Sequence, residues 1–468
     1  MSDAHPTFSG GAENYQSGWT YLVANSARGS NTITVNSTSG FAVGDVVTLD
    51  QSDDSSYVVL GDSTYWKRNS GSNPVSSTQR SMGQTSKIAA INGSVITLED
   101  HLYRDFATAF VANLWRSAAS RLGEGLKGAG VENIGLTGAG GGTGCVAFAH
   151  CENCWMLNVE CDGSPNAWGL GGLGSAGMML QFIVSYHCEI RRCYVHNALS
   201  VSPGGGAYGI VIVEYSSRCL IEDCITRILD KGINMIVSGG GNVVGYNYTD
   251  LTYFQNGANW WQENSIDACH TAFAHDDLIE GNLTENLGGD TTHGNSGWPV
   301  FFRNRATGRS SDGVPDQNVA ACGVTGLSRY YSYVGNVIGP TGTIPNLQGS
   351  GPMYENYRTE PGHVEIGDGI GWAMWRVGSD ADPQGNWDDG EARAQLLRHG
   401  NYDEYTNSIA DWIDGESQNL SQSLYLSEKP AFFGSNIWPW IDPTGATAGD
   451  REKVLPAKAR FDAGTPFA

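Results

Sequence analysis

Four stretches decide the fold: NVVGYNYT (242–249), DLIEGNLT (277–284), PVFFRNRA (299–306) and YSYVGNVI (331–338). Each carries an asparagine at its sixth position, giving Asn247, Asn282, Asn304 and Asn336. Upstream, VENIGLTG (131–138), CWMLNVEC (154–161), CEIRRCYV (188–195) and CLIEDCIT (219–226) share the apolar pattern, with Leu136, Val159, Cys193 and Cys224 in the sixth place. Successive sixth positions are 23, 34, 31, 23, 35, 22 and 32 residues apart. About 22 residues make one coil of a stacked β-solenoid, and the longer units are coils with added loops. In a parallel stack, equivalent residues recur about every 4.8 Å. The four asparagines are then expected to form a buried ladder, each amide donating to the next rung.

The rest of the chain extends this unit. At 468 residues it is long enough for several domains, but a solenoid grows by stacking instead. Its 63 glycines and short apolar runs fit an all-β chain with many turns. The sequence divides into a polar arm and small β region over 1–105, a parallel β-helix over 106–380, and a C-terminal part over 381–468. Residues 52–85 read as a long polar loop. GEARAQLLRHG (390–400) reads as one short helix stopped by Gly400, and 401–468 as a cap over the open end of the stack.

The formal charge is −22, from 49 acidic and 27 basic residues, so long-range forces oppose nucleic acid and anionic membranes. No run of about 18 apolar residues is present to insert into a membrane. The start, MSDAHPTFSGGAENYQSG, lacks the basic and apolar regions of a signal peptide. Ten cysteines show no paired zinc-site spacing. Cys193 and Cys224 share one register, as do Cys154, Cys188 and Cys219. Disulfides between neighbouring rungs, Cys193–Cys224 first and Cys188–Cys219 or Cys154–Cys188 second, stand beside the alternative of free buried thiols.

The coils, the asparagine register and the loop-bearing turns resemble right-handed parallel β-helix proteins of the pectate-lyase-like superfamily over roughly residues 110–380. That group includes polysaccharide lyases, polygalacturonase-type hydrolases and phage tailspikes. The resemblance implies an extracellular protein, secreted or on a virion surface, with a polysaccharide as partner. Two classes of function follow. One is an enzyme cleaving a glycan by hydrolysis or β-elimination. The other is a non-catalytic glycan-binding or structural virion protein. A monomer is expected of the secreted enzyme and a homotrimer of the tailspike.

Residues 247–305 are richest in chemistry. Their order is similar to that of polygalacturonase-type hydrolases, and the resemblance implies Asp250, Asp276, Asp277, His293, Arg303 and Arg305 as site residues. Hydrolysis needs one protonated carboxyl and a second that activates water. The sequence departs from the pattern in an extra residue between Asn247 and Asp250 and in Thr292 preceding His293. Elimination instead needs a base and a cation beside a uronate carboxylate, which His270, His275 and His293 with Arg303 or Lys231 can supply. Trp260, Trp261 and Trp298 are candidate sugar-stacking faces, with Trp372 and Trp375 on later coils. DADPQGNWDDGE (380–391) has the spacing of a calcium loop: Asp380, Asp382, Gln384, the Asn386 carbonyl, Asp388 and Glu391. Pro383 and the lack of an entering helix depart from that motif.

Overall fold

The computed structural model describes residues 7–9, 19–59, 68–69, 79–116, 126–137, 145–163, 178–198, 201, 207–256, 258–291, 293–315, 317–340, 353–356, 372–379, 389–409 and 411–467. Each central coil gives one strand to a ten-stranded sheet and two short strands to an eighteen-stranded sheet. In the first sheet Met178–Ile183, Tyr208–Val213, Lys231–Ile236, Ile266–Thr271, Leu287–Gly289 and Val319–Thr325 follow one another, all parallel. The chain is a parallel β-helix.

The eight-residue repeat explains the second sheet. Its third position points inward, so Ile190, Ile221, Val244, Ile279, Phe301 and Tyr333 stack rung upon rung. All six are buried in one core with Ile210, Ile212, Ile233, Met235 and Ile266 from the first sheet. Burying such a side chain contributes about 1.5–3 kcal/mol. The fifth position turns the chain. Asp223, Tyr246, Gly281, Arg303, Gly335 and Gly400 all have positive φ, between 49° and 70°. Gly281 is required at its bend, because a Cβ there would lie 2.4 Å from the Tyr246 ring.

The sixth position follows the bend. Asn247 Nδ2 donates to Asn282 Oδ1 at 3.0 Å, Asn282 to Asn304 at 2.9 Å, and Asn304 to Asn336 at 3.0 Å. Asn336 in turn donates to Asn401 at 2.8 Å. Each Oδ1 also accepts the backbone N–H of the preceding rung. Cys224 continues the column, its N–H donating to Asn247 Oδ1 at 2.8 Å. In the earliest coil the sixth position is Ile134, opposite Val159, and Leu136 pairs with Cys161. VENIGLTG offers apolar residues at both phases, and the strand takes the register two residues from the one that places Leu136 sixth.

None of the expected disulfides is formed. All ten cysteines are free and buried. Their thiols follow the same hydrogen-bonding pattern as the asparagines: Cys193 N–H donates to Cys224 Sγ, and Cys193 Sγ to the Arg191 carbonyl. Shared register therefore reflects a small side chain fitting one niche, not a covalent bridge.

Residues 390–400 also differ from expectation. The helix is only Gly390–Ala394, and Leu397–His399 is a strand paired with Ser332–Val334. Gly400 is a coil bend, not a helix stop, and Asn401 is a further rung. Two more short helices, Ala448–Arg451 and Pro456–Asp462, follow. The C-terminal segment covers the last rung, with Asp411 accepting from Asn401, but then runs back along the flank. There Arg460 pairs with Asp223, Tyr425 bonds Glu222, and Trp440 bonds the Gly281 carbonyl.

A six-stranded antiparallel sheet lies within residues 19–116. Its strand Met82–Asn92 begins inside the stretch read as a loop. This sheet docks on the coils: Thr85 N–H donates to Ser217 Oγ at 3.0 Å, and His275 Nε2 meets the Gly83 carbonyl at 3.1 Å. The Tyr215 hydroxyl donates to the Arg80 carbonyl.

Candidate functional site

Ile233 and Met235 enter the core, so Asn234 between them faces the other side of the first sheet. Asp267 faces the same way, between the core residues Ile266 and Ala268, and is register partner of Asn234. On this face Lys231 Nζ contacts Glu263 at 2.7 Å, Asp267 at 2.8 Å and Asp290 at 2.9 Å. Beside it, His270 Nδ1 bonds Asp290 Oδ2 at 2.8 Å, and His270 Nε2 bonds the Tyr208 hydroxyl at 2.8 Å. The His293 ring meets His270 edge to face at 4.9 Å. Asp290, Glu263 and His293 are half-buried, the others buried.

A buried ammonium among carboxylates sets the electrostatics. Burial disfavours the charge on Lys231, but Asp267, Asp290 and Glu263 outweigh it and raise its pKa well above the usual value. Burial also opposes ionisation of Asp290, yet Lys231 and His270 hold its carboxyl well below the ordinary range. Burial and neighbouring carboxylates push Asp230 and Asp267 up. Burial lowers His270, favouring its neutral form. Asp290, His270 and Tyr208 thus form a chain able to pass a proton, with a fixed cation alongside.

An aromatic hairpin adjoins this cluster. Tyr248–Asn256 pairs antiparallel with Asn259–Gln262. Trp260 meets Tyr253 edge to face at 5.4 Å, and Trp261 stacks on Phe254 at 6.4 Å. Trp260 and Trp261 are half-buried. Glu263, which closes the hairpin by donating its N–H to the Thr252 carbonyl, is the residue that pairs with Lys231.

The remaining sequence candidates have structural partners of their own. Asp250 is buried, pairs with Arg227 at 3.3 Å and accepts from Ser311. Asp276 pairs with Arg104 at 2.5 Å and with His275 at 3.1 Å. Asp277 is buried and accepts from Ser238 and Asn242, with burial pushing its carboxyl up to about 6. Asp276 and Asp277 both lie near His275, whereas Asp250 is held by Arg227 and Ser311. Arg303 donates to the carbonyls of Leu420, Ser421 and Ile441, and Arg305 pairs with Glu452, so both anchor the C-terminal segment. Trp298 is stacked on Tyr330 at 5.0 Å and covered by Arg104 at 3.6 Å. Trp375 is buried. Asp380, Asp382, Gln384, Asn386 and Asp388 lie outside the described residues, while Glu391 is exposed at the first turn of the short helix.

Of these residues His270, His293 and Lys231 are candidates from the sequence, whereas Asp267, Asp290, Glu263 and Tyr208 emerge only from the fold. No repeat marks this face, and a register shift between Asn234 and Ile236 displaces His270 from the simple alternation.

No protein-family model matches this chain, and no curated protein does. Three solved phage tailspikes are similar in structure. The tailspike gp61 of Pseudomonas phage phi297 matches at 12% identity and a TM-score of 0.48, over 70% of this chain and 48% of its own. Gp49 of Pseudomonas phage LKA1 matches at 15% identity and a TM-score of 0.36, over 78% of this chain and 62% of its own. Gp54 of Acinetobacter baumannii bacteriophage AP22, solved in complex with A. baumannii capsular saccharide, matches at 9% identity and a TM-score of 0.35, over 81% of this chain and 66% of its own. The chain therefore spans about half to two-thirds of these tailspikes' length. Among the described residues no helix is long and apolar enough to cross a membrane.

Proposed function

We propose that this chain is a polysaccharide-recognising, right-handed parallel β-helix that acts outside the cell, at a virion surface. The observation that carries the reading is the union of the aromatic hairpin with the Lys231 cluster through Glu263. Sugar rings present C–H faces to aromatic rings and hydroxyls to carboxylates and imidazoles. Trp260 and Trp261 supply the first kind of contact, and Glu263, Asp290 and His293 the second.

Glycan cleavage is a second reading, favoured by the Asp290–His270–Tyr208 chain beside Lys231. In β-elimination a base removes the proton next to a sugar carboxylate, the glycosidic oxygen leaves with the bonding pair, and an acid protonates it. His293 and the His270 chain would serve as base and acid, and Lys231 would face the developing enolate charge. Hydrolysis by Asp250, Asp276 and Asp277 has less support, since a hydrolase needs two carboxyls flanking one bond.

The test is a panel of capsular and exopolysaccharides presented to the full chain. Binding is read by calorimetry, and cleavage by new reducing ends and by the ultraviolet absorbance of unsaturated products. Binding to at least one polymer is expected, weakened about tenfold or more in Trp260→Ala with an unchanged melting temperature. A chain that binds no polysaccharide sinks the proposal, and binding without either product signal removes the enzymatic reading. Sedimentation equilibrium separates a trimeric virion protein from a monomeric secreted enzyme.

A further inference from the structure

The face around Lys231 gathers several carboxyl groups on one ammonium and leaves polar atoms unmet. Three carboxyl groups, Glu263, Asp267 and Asp290, contact a single ammonium, and a fourth, Asp230, is its chain neighbour. Several buried carboxyl groups can ionise together only with a cation among them. One oxygen each of Asp267 and Asp290 and one nitrogen of His270 all lie within 4.8 Å of one another. An independent observation comes from Asn234. It is completely buried, and neither its Oδ1 nor its Nδ2 has a hydrogen-bond partner. It projects from the same face one rung from Asp267, its register partner. A buried amide left wholly unpaired loses its hydrogen bonds to water without replacement, so such a group calls for an occupant beside it.

We infer that Asp267, His270 and Asp290 bind a divalent first-row cation of the Mn2+ or Zn2+ type, with Asn234 completing the site as an oxygen ligand or as partner to a bound water. One imidazole nitrogen with two carboxylates suits these ions, whereas Ca2+ takes oxygen ligands. Lys231 remains paired with Glu263, and Tyr208 fixes the other face of the His270 ring, as an outer partner of a ligating histidine does. This site is distinct from the 380–391 stretch and does not depend on the glycan reading, since no saccharide enters its test.

The experiment uses the full chain, stripped with chelator and titrated calorimetrically with ZnCl2 and with MnCl2. One ion per chain is expected for at least one metal, with affinity lowered about tenfold or more in Asn234→Val and further in Asp267→Asn. Failure of both ions to bind the wild-type chain overturns the inference, as does unchanged affinity in Asp267→Asn. A readout on the wild-type chain guards against misfolded variants. The electron spin echo of bound Mn2+ is expected to show modulation from an imidazole nitrogen. A chain that binds Mn2+ without that modulation holds it elsewhere, which also overturns the inference.

Discussion

The amide of Asn282 spends every hydrogen-bonding atom inside the stack. Its Nδ2 donates to Val244 O at 2.9 Å and to Asn304 Oδ1 at 2.9 Å, while its Oδ1 accepts from both Asn247 nitrogens. Asn282→Ala takes away the partner of the Asn247 N–H, one of the two acceptors of Asn247 Nδ2 and a donor to the Val244 carbonyl, so a loss of about 2–4 kcal/mol is expected in urea unfolding. A change within about 0.5 kcal/mol, the range of an ordinary surface substitution, would show that the column is dispensable. Asp277 answers to pH instead. Its carboxyl titrates at about 6 in the folded chain against an ordinary 3.8. Folding therefore takes up a proton between those values. The stabilising contribution of protonated Asp277 is present below the ordinary pKa and is lost as pH rises through about 6, up to about 3 kcal/mol in all. Asp277→Asn should remove that part of the slope. Parallel stability curves for the two proteins between those two pH values would refute this assignment.

Among the elements, the C-terminal segment depends on a few clamps rather than on sheet pairing. Arg303 alone donates to three of its carbonyls. Charge-assisted hydrogen bonds contribute about 1.5–3 kcal/mol. Arg303→Ala should therefore open the segment locally, and proteolysis within 411–467 should quicken about tenfold or more while the coils stay intact. Equal cleavage rates would mean that the remaining clamps and aromatic contacts hold the segment without Arg303. The same elements show what the sequence reveals. Positions 193, 224, 247, 282, 304 and 336 could be aligned because in these coils a small hydrogen-bonding side chain, Cys or Asn, fills the niche before each strand. Asn401 escaped, because 65 residues separate it from Asn336 and the intervening GEARAQLLRHG has helical spacing. The backbone makes only one helical turn there before Leu397–His399 joins the sheet, so tertiary pairing overrides local propensity. The Lys231 face left no periodic signal, since its residues are fixed by contacts with one another and not by the stack.

Across the whole molecule coils stack one upon the next, so the stack sets length while surface charge sets which polymer can approach. The net charge is −22, and the cations best placed near the hairpin, Lys231 and Arg227, are already paired with carboxylates. A neutral glycan meets no long-range barrier. An anionic one is repelled until salt screens the field, and the screening length shrinks from about 30 Å at 0.01 M to about 8 Å at 0.15 M. Its association rate and affinity should therefore rise with ionic strength over that range, while those of a neutral glycan stay level. The opposite sign, weaker anionic binding in higher salt, would demand a local basic patch in the contact surface. Stopped-flow association with one neutral and one uronate-containing polymer at the two salt concentrations decides between them. The outcome bears on chemistry as well as recognition, because β-elimination acts only on the uronate-containing class.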